Sequence, residues 1–169
     1  MGHLVLRHEM GCDTETYWEK CVLTEEYNRR LFLEALKFLK YELIEQKDTG
    51  DTVTRRVKAE PKTANLPAPL KKVIGDSLGY TEEGSFDRKK KVYSFRSIPA
   101  AFPEKVKIHG TMRCEPLGEK KVTRVTEIDI DVKIFMVGGM VEERIVSDMK
   151  DSYAKAAAFT NRYVKEKGY

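Results

Sequence analysis

Residues 138–168 read GGMVEERIVSDMKDSYAKAAAFTNRYVKEKG. Val141, Ile145, Met149, Ser152, Tyr153, Ala156, Thr160 and Tyr163 recur there at spacings of three and four, which is one face of an α-helix. The opposite face carries Glu143, Arg144, Ser147, Asp151, Lys155, Asn161, Arg162 and Lys165, all suited to water. Gly138 and Gly139 precede the start, and Gly168 supplies a C-terminal stop. At 1.5 Å per residue the helix is roughly 40 Å long. A helix of that length with one apolar stripe needs something broad to lie against. Apart from two short helices, everything upstream reads as strands, so the partner is a sheet. On this phase, Tyr153→Asp puts a charge into a core wall and is expected to remove several kcal/mol of stability.

The chain has 169 residues, 41% of them hydrophobic, which is enough for a single domain with a real core (1–169) and argues against disorder. Its formal charge of +4 does not mark a nucleic-acid binder. No apolar run reaches the ~18 residues of a membrane span. The opening MGHLVLRHEM alternates like a strand and lacks the layout of a secretory signal. Cys12, Cys21 and Cys114 form an odd set without a pairing pattern, which points to a reducing, cytoplasmic setting.

Residues 3–10 alternate, with Leu4, Leu6, His8 and Met10 on one side. Asp13 can cap a short helix with Trp18, Cys21 and Val22 inward, and Thr24 a second one over 25–35. Strands follow over 39–47 and 52–62, joined by the turn Asp48-Thr49-Gly50-Asp51. Residues 61–75 read as a loop with a short helical turn. Further strands span 78–87, 91–97, 106–114 and 122–134, with a turn at Pro116-Leu117-Gly118-Glu119. In the last strand Ile128, Ile130 and Val132 face one way, and Glu127, Asp129 and Asp131 the other. Strands joined by short turns pair antiparallel, and one apolar face needs one cover. The fold class is therefore α+β: a curved seven-stranded antiparallel sheet gripping a long C-terminal helix, in the order β-α-α-β6-α.

That order, the HEMGCDTETYWEK start and the 138–168 finish resemble the START-like helix-grip (SRPBCC) superfamily, which includes lipid-transfer domains, polyketide cyclases and pathogenesis-related plant proteins. The resemblance covers nearly the whole chain and is closest to a branch of small stand-alone members. It implies a hydrophobic cavity between sheet and last helix, entered between the loops at 65–75 and 98–104.

By alternation, the ligand-facing residues on the strands are Arg55, Tyr80, Glu82, Tyr93 and Phe95, followed by Ile108, Met112 and Ile128. Ile145, Met149 and Tyr153 face the same space from the helix, whose roomier part lies near Ile145 and Met149 because 154–158 is rich in alanine. An inward Arg55 needs a partner, either Glu82 on the next strand or a ligand carboxylate or phosphate. Arg124, His8 and Glu142 also fall in phase with apolar neighbours. For any single one of these, a bulge that turns it to water carries more weight.

The loops carry Leu66, Pro67 and Leu70, and Ile98, Pro99 and Phe102, an apolar content expected of a gate rather than of free turns. Beside the first, Lys71 and Lys72 favour transient contact with an anionic membrane surface, at about 1 kcal/mol each. His3 and His8 face opposite sides of a strand, so no metal site is read. No nucleotide or nucleophile motif is present, and no cofactor is expected.

These readings lead to a carrier or sequestering protein for a hydrophobic small molecule, a lipid or lipid-like metabolite, with a monomer as the default state. A cyclase or aromatase acting through Glu82, Tyr80 or His8 is the less favoured alternative, and a regulatory domain with a filled core is the third.

Overall fold

The computed structural model describes residues 2–62, 66–75 and 78–169. Seven strands pair antiparallel throughout: β1 (Gly2–Met10), β2 (Lys40–Asp48), β3 (Thr52–Glu60), β4 (Tyr80–Asp87), β5 (Val92–Pro99), β6 (Val106–Gly118) and β7 (Lys121–Val132). Their order across the sheet is β1-β7-β6-β5-β4-β3-β2. Between β1 and β2, at opposite edges, run a π-wound turn (Thr16–Val22), helix α1 (Glu25–Arg29) and its π-wound continuation (Arg30–Ala35). Helix α2 (Ala68–Ile74) links β3 to β4, and α3 (Gly138–Lys167) closes the chain.

The main boundary differences have local causes. Gly138 and Gly139 belong to the first turn of α3 rather than preceding it, while Gly168 terminates the helix at φ 72°. Asp13 caps as expected, its carboxylate accepting from the Thr16 amide at 2.8 Å. Thr24 does not cap; its hydroxyl donates to the Cys21 carbonyl at 2.8 Å. β6 runs on through Pro116, because the register shift between Pro116 and Gly118 spares proline a ladder bond it cannot make.

Two inward glycines shape the inner face. A Cβ on Gly84 would collide with the Tyr93 hydroxyl, and one on Gly110 with the Glu127 carbonyl oxygen and, at 2.8 Å, with the Phe95 ring. The missing side chains let both aromatics lie down across the sheet. On the outer face Val125 is 0% exposed, beneath a lattice in which Glu115 pairs with Arg7 and Arg113, and Arg113 also with Glu127. Asp129 faces outward as read, between His3 at 2.8 Å and His109 at 3.5 Å.

The cross-strand register sets the two ends of the grip. Lys40 pairs with Glu60, Ala59 with Tyr80, Tyr80 with Pro99, and Val106 with Val132. The described segments 61–62, 66–75, 78–79, 100–105 and 133–137 therefore share one end of the sheet, the mouth. The hairpin turns and the first π turn share the other.

The closed end is clamped by Arg88, which donates to the Asp48 carboxylate at 2.5 and 2.8 Å and to Glu19 at 2.8 and 3.2 Å. The Arg88 guanidinium, then the Gly50 amide, hold Asp48 down from 3.8 to about 2. A depressed folded pKa means stability present above 3.8 and lost as pH falls towards 2. Acid unfolding followed by circular dichroism should show a step in that window that Arg88→Met removes.

The core fills from the closed end. Trp18 stacks on Phe86 at 4.6 Å between ring centroids and meets Tyr17 edge-on at 5.1 Å. Tyr27 packs between Phe159 and Tyr163 and shares a 2.5 Å hydrogen bond with Thr160. The second half of α3 is thus locked down, with Ala156, Ala157, Phe159, Thr160, Tyr163 and Val164 buried. In the first half Val141 is buried, but Ile145, Val146, Met149 and Tyr153 are only half-buried against the core.

Candidate ligand site

The site forms where the half-buried part of α3 faces the inner sheet. Three cross-strand rows lie beneath it: Val57–Glu82–Ser97–Ile108–Ile130, Arg55–Gly84–Phe95–Gly110–Ile128, and Val53–Phe86–Tyr93–Met112–Thr126. Arg55 stays inside, and no bulge carries it to water. Its Nη1 donates to the Val22 carbonyl at 2.6 Å, and its Nη2 lies 3.9 Å from Glu82 Oε1. Tyr93 donates to the same carboxylate oxygen at 2.9 Å and places its ring 5.5 Å from the guanidinium.

Tyr80 and Tyr153 define the open part. Both keep accessible surface, yet burial first, and then the Glu82 charge, push both hydroxyls above the ordinary tyrosine range. Both rings are therefore only partly covered, on the stretch where α3 is half-buried. Tyr93 is raised by the same two causes. All three hydroxyls stay protonated; Tyr93 donates to Glu82, and Tyr80 and Tyr153 lie near enough to feel its charge.

A second polar group lies along the sheet. Arg124 is 2% exposed. It donates to the Tyr17 hydroxyl at 3.2 Å, the His8 Nδ1 at 3.3 Å and the Tyr153 carbonyl at 2.9 Å. Burial, then the Arg124 charge, lower the His8 pKa, so the neutral ring accepts at Nδ1. Among the described residues these partners include no carboxylate, and Arg124 Nε has no partner. Tyr153 covers the guanidinium, with 5.2 Å between ring centroid and charge.

The sequence-derived residues divide by depth. Arg55, Tyr80, Glu82, Tyr93 and Tyr153 converge as one polar cluster. Phe95, Ile108 and Ile128 are buried in the main core, and Met112 accepts from Tyr17 at its sulfur at 3.5 Å. Ile145 and Met149 lie on the half-buried stretch of α3.

At the mouth most of the apolar side chains turn inward. Leu70 is 1% exposed and anchors α2, while Leu66, Ile98, Pro99 and Phe102 are half-buried and Pro67 is exposed. Ile98 and Pro99 belong to β5, and Asn65 lies outside the described residues. Tyr17 was absent from the sequence reading, although it stands four residues before Cys21 on the stripe already assigned to Trp18, Cys21 and Val22.

The thiols are unsuited to attack. Burial pushes Cys12 up to about 11 and both Cys21 and Cys114 up to about 12. Among the described residues no group of three or more His, Cys, Asp or Glu is placed to hold a metal ion, and no helix is long and apolar enough to cross a membrane. Two open depressions, one of about 490 Å³ over the outer face of β2 to β5 and one beside Glu143 and Lys150, lie outside the grip.

No curated protein matches the chain. Solved structures share its fold. The Zhui aromatase/cyclase from a Streptomyces species aligns at a TM-score of 0.70 and 13% identity, over 99% of this chain and 96% of its own. A START superfamily protein from Mycobacterium smegmatis aligns at 0.62 and 13%, over 97% of each chain. Norcoclaurine synthase from Thalictrum, solved with a transition-state analogue, aligns at 0.64 and 18%, over 99% of this chain and 98% of its own. The helix-grip fold is that of START-like proteins. The profile of one sequence family matches residues 6–164, so the chain belongs to the family described as "Protein of unknown function (DUF2505)".

Proposed function

We propose that the protein binds a hydrophobic small molecule, a lipid or lipid-like metabolite with an acidic or carbonyl head, between the inner sheet and the first half of α3. The observation that carries this reading is the incomplete closure of α3 on the sheet: Ile145, Val146, Met149 and Tyr153 on the helix and Tyr80 on the sheet are only half-buried, while the second half of the helix is locked down. Burial of ligand hydrocarbon drives binding, at about 25 cal/mol per Å². The Tyr80 and Tyr153 hydroxyls can donate to a head group, while the Tyr93 hydroxyl is held by Glu82. Arg124 offers a buried positive charge that a ligand anion would neutralise.

The test is displacement of a fluorescent fatty acid from the wild type and from Met149→Trp, which fills the space from the helix. A loss of at least about tenfold in affinity, with the melting temperature within a few degrees, supports the reading. Equal affinity in both proteins contradicts it. At the mouth, Phe102→Ser should speed release of the same probe, measured by stopped flow.

One observation favours a second, enzymatic reading. Glu82 is a carboxylate held by the Tyr93 hydroxyl, with the protonated Tyr80 and Tyr153 near enough to feel its charge, an arrangement suited to taking a proton from a bound polyketone chain and stabilising the enolate. The aromatase/cyclase and norcoclaurine synthase folds support that comparison only at the level of the scaffold. Glu82→Gln separates the readings: it keeps fatty-acid binding but abolishes turnover only if the site is catalytic.

A further inference from the structure

Among the described residues, the two most exposed large apolar side chains are adjacent: Phe135 at 87% and Met136 at 88%. They form the tip of the β7–α3 connection, at the mouth. Met140, one turn into α3, is also exposed. Met136 sits at φ 67°, a left-handed conformation that costs a non-glycine residue energy. Phe102 (φ 55°) and Lys37 (φ 59°) share that conformation at the same end of the sheet. The backbone is bent unfavourably in a way that leaves the pair standing in water.

The surroundings are rich in lysine, though Glu104 and Asp131 stand among the lysines and Glu142 and Glu143 follow in the second turn of α3. Lys133 precedes the tip, and its amide donates to the Lys105 carbonyl at 2.8 Å, which ties the two mouth segments together. Lys105, Lys107 and Lys133 are exposed, as are Lys71 and Lys72 on α2. Lys107 meets Glu104 at 3.8 Å, and Lys133 meets Asp131 at 3.3 Å. Such solvent-exposed pairs are weak and hold these lysines little.

We infer that Phe135 and Met136 insert into the headgroup boundary of an anionic lipid bilayer, with Lys105, Lys107 and Lys133 seated against the lipid phosphates. An apolar tip flanked by three exposed lysines, whose ion pairs are weak, matches a surface that is negative outside and apolar beneath. A protein partner would have to be both acidic and apolar over the same small patch. The contact sets the mouth of the grip against the membrane. The inference rests on exposed surface alone and stands whether or not the space under α3 takes a ligand.

The experiment is co-sedimentation of the full chain with phosphatidylcholine vesicles, with and without phosphatidylserine. Wild type should pellet with the mixed vesicles and far less with phosphatidylcholine alone. Phe135→Ser with Met136→Ser should lower partitioning at least about tenfold, since both side chains lose their burial. Lys105→Gln and Lys133→Gln should each lower it about fivefold on the anionic vesicles. Melting curves of the variants should overlay that of wild type, because every changed side chain is exposed. Three results would overturn the inference: no pelleting with either vesicle, undiminished pelleting of the tip variant, or a concentration-dependent dimer that the tip variant abolishes in the absence of vesicle binding. The last would make the tip a self-association surface.

Discussion

Ala156→Asp should leave the protein unfolded or close to it. Ala156 is buried where α3 comes down on the core, and its carbonyl accepts from Thr160, which holds Tyr27 in turn. An aspartate there would bury a carboxylate in the wall of the core. An uncompensated buried charge costs about 3–5 kcal/mol, a large part of the about 5–15 kcal/mol that holds a domain together. Thermal melting by circular dichroism measures it. Tyr153→Asp, which the helix stripe alone ranks as equally severe, should cost less. Its carboxylate would arise beside the Arg124 guanidinium, now 5.2 Å from the Tyr153 ring centroid, and would give that charge a partner. If the two variants melt together, the account of Arg124 as an uncompensated charge fails.

Glu82→Leu should be the second large loss. It strips the buried Arg55 of its carboxylate and leaves the Tyr93 hydroxyl without an acceptor. Removing one partner of a buried pair typically costs about 3–5 kcal/mol, and the 3.9 Å separation places this pair towards the lower figure. Arg124→Met should behave oppositely. It removes a buried charge without orphaning a carboxylate and keeps most of the volume, so stability should hold or rise. Urea denaturation of both variants gives the comparison. Similar losses in the two would mean that Arg124 has a countercharge not recognised among its partners.

The fold was legible because its two periods are clean. The stripe from Val141 to Tyr163 repeats at helical spacing, and Ile128, Ile130 and Val132 alternate against Glu127, Asp129 and Asp131. The inward positions of Arg55 and Glu82 followed from the same alternation, as did their pairing as one of two options. Arg124 was in phase but set aside, because alternation gives a direction and not a partner. The roles of Gly84 and Gly110 were not legible, since a glycine in a strand does not say which aromatic will lie across it. The mouth misled. Residues 61–75 read as a loop with a short helical turn and Leu70 as a gate residue, yet that helix turns Leu70 inward as its anchor. Ile134-Phe135-Met136-Val137 read as the end of a strand and the approach to a helix, and only its placement shows two side chains left standing in water.

Native mass spectrometry of the purified full chain, followed by solvent extraction of whatever is bound, tests the central claim most directly. The account predicts a one-to-one complex with a hydrophobic molecule carrying a polar head, present in wild type and reduced in Met149→Trp. A chain that flies bare, yields no extractable ligand and takes up no added fatty acid would contradict it.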